Sequence, residues 1–169
     1  MTGSVTVRGE AATDRAAVRR INELAFEGAA EADLVEALHR DGLVLASLVA
    51  DVDGDTVGHI LFSRMWVETP NGPVDAVCLA PVAVLPSHQR TGIGSALIVR
   101  GLDEMRVLGE RAVIVVGHPA YYPRFGFEPA GPHGLTSPFP AEAFMAMELY
   151  PGALRDVSGP ARYPAAFGV

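Results

Sequence analysis

The stretch that decides the fold is Val82-Ala83-Val84-Leu85-Pro86-Ser87-His88-Gln89-Arg90-Thr91-Gly92-Ile93-Gly94. An apolar, strand-like run ends at Leu85 and a helical run begins near Gly92, so a glycine-rich corner joins a strand to a helix. A corner of this type leaves backbone N–H groups unpaired and presents the positive end of the helix dipole, and both suit a phosphate. The chain is therefore expected to hold a phosphorylated ligand here.

Upstream, residues 74 to 85 form one long apolar run that contains Pro81, which has no N–H to give to a ladder. Strand pairing is expected to open at or near that residue. Downstream, helical spacing puts Leu97, Ile98, Gly101, Leu102, Met105 and Leu108 on one face. Arg100, Asp103, Glu104 and Arg106 fall on the other, and Gly109 follows as the terminating residue. Ala112-Val113-Ile114-Val115-Val116 is the continuous apolar run expected of a buried parallel strand. Strand, corner, helix and strand make a right-handed βαβ unit.

Before that unit, residues 5 to 8 alternate as a first strand. Thr13-Asp14 offers an N-cap to a helix over residues 14 to 26 whose buried stripe would be Val18, Ile21 and Leu24. A second helix carries Leu34 and Leu38 and stops before Asp41-Gly42. Residues 43 to 52 and 56 to 67 read as strands joined by Asp53-Gly54, and Pro70-Asn71-Gly72-Pro73 is the next reversal. Residues 143 to 150 add a late strand, and the Pro- and Gly-rich segment from 151 to 169 is expected to pack only on the surface. The expected architecture is one α/β domain over residues 1 to 169, with a mixed central sheet of about seven strands flanked by helices. Strands one to four would be antiparallel, and strands four and five parallel and splayed.

Composition bounds the function. The 169 residues are 49% hydrophobic and 20% charged, enough for a core of their own and too apolar for disorder. A formal charge of −7 disfavours nucleic acid as a partner, because phosphate backbones demand clustered Lys and Arg. No stretch approaches the roughly 20 apolar residues of a membrane span. Met1-Thr2-Gly3-Ser4 lacks a charged segment followed by an apolar run, so no membrane partner and a cytoplasmic location are expected. Cys78 is the sole cysteine, which excludes an internal disulfide and reads as a small buried hydrophobe. His39, His59, His88 and His133 lack metal-ligand spacing with one another or with Cys78, so no metal is expected.

Missing residues narrow the phosphate ligand. A P-loop needs Lys after its second glycine, and Ser95 follows Gly94. A dinucleotide fingerprint needs a third glycine where Leu97 stands. What remains is Q-x-x-G-x-G directly after Val82-Ala83-Val84, followed at a distance by Tyr122-Pro123-Arg124-Phe125-Gly126-Phe127. In these two motifs the chain resembles the GNAT superfamily of acyl-CoA-dependent N-acetyltransferases. The whole stretch from Leu79 to Phe127, with Ala80-Pro81 and Pro119-Ala120-Tyr121-Tyr122, is most similar to the YhbS-like bacterial subgroup.

The resemblance implies a GNAT-like three-layer fold and acetyl-CoA as cosubstrate. Gln89, Arg90, Thr91, Gly92, Ile93, Gly94 and Ser95 would hold the pyrophosphate. Val82, Ala83 and Val84 would offer backbone groups to the pantetheine arm, left open by the interruption at Pro81. A backbone N–H near Val84 would polarise the thioester carbonyl, Phe125 would lie at the cofactor, and Tyr122 would give a proton to the departing sulfur. The implied reaction is N-acetylation, by direct attack, of an amine on a small molecule or peptide.

Peptide-acetylating relatives carry a glutamate at the position of Cys78, and that departure speaks against a protein-lysine substrate. Glu68, Asp75, Glu23 and His118 are the candidate bases. His118 is preferred for its intrinsic pKa and its place at a strand end, although a loop or capping role competes for it. Phe62, Met65 and Trp66 would line an acceptor pocket unless they are core. A non-catalytic acyl-CoA-binding or regulatory domain is the alternative, and exposed sheet edges would serve a homodimer.

Overall fold

The structure, a computed structural model, describes residues 3 to 169. Its chain falls into two compact units. One comprises the chain up to Phe62 together with Ala80–Glu104, the other Ser63–Leu79 together with Met105–Val169.

The first unit contains β1 (Val5–Gly9), α1 (Arg15–Phe26), α2 (Ala30–Arg40) and β2 (Val44–Val52), as well as the start of β3 (Asp55–Thr69), the end of β4 (Gly72–Val84) and most of α3 (Ile93–Val107). β1 pairs antiparallel with β2 from Val5↔Val52 to Gly9↔Leu48, and β3 follows as the neighbour of β2. Asp53 and Gly54 have φ of 51° and 84°, the two left-handed residues that a tight hairpin turn requires.

The expected stripe on α1 is turned by one position. Val18, Ile21 and Asn22 are buried, whereas Leu24 is 44% exposed. Asn22 takes the inward place because His59, itself fully buried, meets it with a hydrogen bond. On α2 the buried residues are Ala32, Val35 and Leu38, three apart, and Leu34 is only half-buried. Asp14 makes no side-chain cap. Its carboxylate accepts hydrogen bonds from Arg8 Nη1 at 2.7 Å and Nη2 at 3.0 Å and from the Ala11 N–H at 2.7 Å. Arg8 first, and then that amide, hold the Asp14 carboxyl down to about 2.

Two glycines decide how closely α3 lies on β3. A Cβ on Gly58 would stand 2.9 Å from Ile93 Cγ2, and one on Gly101 would stand 2.1 Å from the Phe62 ring. Leu97, Ile98, Leu102 and Met105 are buried as the helical spacing predicts. Leu108 lies beyond the end of the helix and is 56% exposed.

In the second unit, β4 pairs parallel with β5 (Ala112–Val116) at Val77↔Val113 and Cys78↔Ile114. Both pairings lie upstream of Pro81, where the sequence predicts the break. β5 pairs antiparallel with β8 (Phe144–Glu148), and β6 (Glu128–Pro129) lies on the far side of β8. Arg64 makes a bidentate pair with Glu110 at 2.8 and 2.9 Å.

The C-terminal segment corrects the sequence reading. Rather than merely covering the surface, it supplies β9 (Gly159–Arg162), which pairs with β3 at Trp66↔Arg162 and Val67↔Ala161 and with β7 (Leu135–Thr136). Ala153, Leu154, Val157 and Ala161 are buried. Gly159 permits the approach, since a Cβ there would meet the Glu68 carbonyl oxygen. The described residues thus hold nine strands instead of about seven, β7 and β9 being the additions. They form a mixed, mainly antiparallel sheet.

Gly101→Ala should lower stability by about 1–3 kcal/mol despite the better helix propensity of alanine, because the methyl group meets a buried ring. Phe62→Leu should restore part of the loss, as read by urea unfolding. Asp14→Asn should cost about 1 kcal/mol near neutral pH, given that Arg8 is partly solvated. The Asp14 carboxyl is depressed from its ordinary value near 4, so its contribution is complete above about pH 4 and vanishes as pH falls through about 2. The gap between wild type and variant should close over that window.

Candidate active site

The corner after β4 is built from local bonds of the first unit. The Leu85 N–H donates to the Val57 carbonyl at 2.8 Å, which ties the strand end to β3. Gln89 Nε2 donates to the Val84 carbonyl at 3.0 Å, and Thr91 Oγ1 donates to the His88 carbonyl at 2.6 Å. Arg90 and Gly92 have φ of 62° and 87°, so the chain turns through two left-handed residues before the helix. At the helix start the Ala96 N–H donates to the Gly92 carbonyl at 3.0 Å. The amides of Ile93 and Gly94 therefore lie ahead of any carbonyl one turn earlier, the arrangement that receives an anion. Ile93 is 2% exposed and anchors the helix start, while Arg90, Thr91 and Gly92 are exposed.

Val82 and Val84 are half-buried and alternate with buried Ala83 and Leu85. Beside the corner lies a cavity of about 530 Å³, lined by Ser87, His88, Arg90 and Thr91 and, from the β2–β3 turn, by Val52 and Asp53.

Tyr122 belongs to the second unit. The chain leaves β5 through Gly117, and the Tyr121 and Tyr122 N–H groups donate to the His118 carbonyl at 3.0 and 3.3 Å. A 3-10 turn over Tyr122–Phe125 closes at Gly126, φ 109°. The Tyr122 ring packs edge-on against Phe127 at 5.7 Å and Tyr121 at 5.2 Å. It also lies on Gly117, where a Cβ would stand 2.3 Å from the ring. Burial, and secondarily Tyr121, push the Tyr122 phenol up to about 12, so it stays neutral and able to donate. Arg124 stacks on the other tyrosine, its guanidinium 4.6 Å from the Tyr121 ring centre and its Nε donating to the Tyr121 carbonyl at 2.9 Å. Phe125 is half-buried against the same two tyrosines.

His118 is exposed, and its carbonyl caps the tyrosine turn. Among the other candidate bases, Glu68 is exposed. Asp75 lies 3.9 Å from Arg64, and Glu23 lies 3.6 Å from Arg19. Cys78 is buried and its thiol is pushed up to about 12 by burial, which removes the thiolate that an acetyl-cysteine route would need. Phe62 and Met65 are fully buried and are core residues rather than pocket walls; Trp66 is half-buried. Sequence reasoning passed over Gly117 as the seat of the Tyr122 ring. A glycine directly after a buried strand and five residues before an aromatic was the available signal.

Residues 6–130 match the family model for the acetyltransferase (GNAT) domain. YjhQ of Escherichia coli K12, an uncharacterized N-acetyltransferase, is 42% identical over 134 residues, covering 76% of this chain and 72% of that protein. YhbS of the same strain, also an uncharacterized N-acetyltransferase, is 35% identical over 160 residues, covering 93% of this chain and 95% of that one. The crystal structure of E. coli YhbS in complex with CoA superimposes with a TM-score of 0.90 at 33% identity, over 99% of this chain and 93% of that chain. A GNAT family acetyltransferase from Brucella melitensis in complex with acetyl-CoA gives 0.81 at 32% identity, over 98% and 99% of the two chains.

The chain belongs to the GNAT acetyltransferase family. By that membership it is an acyltransferase.

With its thiol protonated and enclosed, Cys78 should not react with a disulfide reagent in the native protein from about pH 6 to about pH 9. It should give one equivalent after denaturation. Rapid native labelling would show that the thiol is reachable.

Proposed function

We propose that the protein transfers the acetyl group of acetyl-CoA to an amine of a small molecule or peptide by direct attack. The observation that carries this reading is the corner itself, with Arg90 and Gly92 in left-handed conformations and Ile93 buried at the start of α3. Its amides suit a pyrophosphate, and the two relatives solved with CoA and acetyl-CoA share the fold over nearly the whole chain.

In this reading Gln89 to Ser95 bind the pyrophosphate, with the Arg90 guanidinium adding charge. Val82, Ala83 and Val84 pair with the pantetheine amides, and Phe125 packs against the cofactor. A neutral amine nitrogen forms a bond to the acetyl carbonyl carbon while a backbone N–H near Val84 steadies the developing oxyanion. The C–S bond then breaks, and the sulfur takes the proton of the Tyr122 phenol. The ammonium proton leaves to His118 directly or through water, and exchange with solvent restores both groups. Cys78 takes no part, consistent with its buried, protonated thiol.

Gly92→Val should weaken acetyl-CoA binding at least about tenfold by calorimetry, since a branched residue is strained at that φ and disturbs the amides. A Cβ at this position meets no neighbour within 4 Å, so the fold should survive. Tyr122→Phe should leave acetyl-CoA affinity nearly unchanged and lower kcat by about 10²-fold or more. Because the phenol titrates only near 12, the wild-type rate should show no decline from tyrosine ionisation up to about pH 10. A panel of amines assayed for CoA release with a thiol reagent tests the reaction as a whole. If acetyl-CoA binds and no amine turns over, the chain is a binding domain instead of an enzyme.

A further inference from the structure

Away from the corner, the first unit holds another cavity, lined by both charged and apolar side chains. It measures about 340 Å³ and opens among Val18, Ala32, Val35, Glu10, Arg15 and His39. An adjoining cavity of about 310 Å³ shares Glu10, Arg15 and His39 and is floored by residues 44 to 47. Those residues begin β2, whereas Val52 at its end lines the cavity beside the corner. The two openings therefore stand at opposite ends of one strand.

A buried relay points at Glu10. Asn22 Nδ2 lies 2.9 Å from the Val18 carbonyl and 3.1 Å from His59 Nδ1. An amide NH₂ can only donate, so His59 carries its hydrogen on Nε2. That nitrogen is 2.9 Å from Ser47 Oγ, which in turn donates to Glu10 Oε1. Burial lowers the His59 pKa to about 3, so the ring adds no charge.

The Glu10 side chain is 8% exposed, and among the described residues the one basic nitrogen paired with it is His39 Nε2, at 3.6 Å. His39 Nε2 is shielded and makes no hydrogen bond. An enclosed carboxylate that accepts one hydroxyl hydrogen bond, with its nearest basic nitrogen beyond hydrogen-bond distance, favours a further cation. Arg19 is already taken by Glu23, Asp33 and Glu36. Arg15, on the exposed rim, makes no ion pair among the described residues.

We propose that this cavity binds a free aliphatic α-amino acid, with its ammonium on Glu10, its carboxylate on Arg15 and its side chain against Val18, Ala32 and Val35. Glu10 and Arg15 line both cavities, so one small ligand carrying both charges can face the two together, whereas Arg19, Glu36 and Arg40 line only the larger cavity. The apolar residues line only one cavity and set the side-chain direction. A volume of this size suits a small ligand. The inference is independent of the acetyl-transfer reading.

The test is titration of the ¹⁵N-labelled full chain with L-leucine, followed by amide chemical shifts. Saturable shifts are expected at Glu10, Ala32, Val35 and His39, with Kd about 10 mM or tighter for a ligand of this size. Isoamylamine and 4-methylpentanoate, each lacking one charge, should bind at least about tenfold more weakly. Glu10→Gln and Arg15→Ala should weaken L-leucine to a similar degree. Arg15 is exposed, so its variant keeps the test valid should Glu10→Gln disturb the relay. Arg15→Ala should leave acetyl-CoA affinity unchanged. Shifts that do not saturate, or equal binding of isoamylamine and L-leucine, would overturn the proposal.

Discussion

Most of what this chain offers a cofactor depends on how tightly α3 is pressed onto β3. Two absent side chains allow it: Gly58 admits Ile93, and Gly101 admits the Phe62 ring. Dispersion over a close-packed interface is strong only when the surfaces fit. Here the fit fixes the first residue of the helix, with Ile93 2% exposed. Once Ile93 is fixed, the left-handed turns at Arg90 and Gly92 and the tie from Gln89 to the Val84 carbonyl leave the corner little choice of shape. An anion site made of backbone amides needs that rigidity, because such amides bind only when they already converge.

The second unit repeats the device with another glycine. Gly117 lets the Tyr122 ring lie on the backbone after β5, and Phe127 closes it from the side. Enclosure raises the phenol's pKa, so the residue suited to protonate a thiolate keeps its proton throughout the physiological range. The same physics disarms Cys78, whose burial favours the thiol. One effect, desolvation of the charged form, thus supports one candidate group and removes another.

Much of this was legible in the sequence. The corner, the α3 face and the β5 run follow from glycine placement and apolar spacing, and the family follows from Gln89 to Gly94 read together with Tyr122 to Phe127. The C-terminal strand was not legible, because Gly159-Pro160-Ala161-Arg162 has the composition of a loop. Its pairing with β3 rests on the close approach that Gly159 allows, a tertiary fact. The α1 stripe departs from simple apolar spacing at Leu24 because Asn22, polar by type, is drawn inward by His59, 37 residues further along the chain. Phe62 and Met65 looked equally suited to a pocket or a core, and burial decides for the core, with the Phe62 ring seated over Gly101 of α3.

The acetyl-transfer account is tested most directly by intact-mass measurement of the protein and of an amine panel after incubation with acetyl-CoA. Direct attack predicts an acetylated amine, formed only when both substrates are present, and a protein of unchanged mass. An acetyl adduct on Cys78 that passes to the amine, or no acetylated amine from any acceptor despite bound acetyl-CoA, would contradict it.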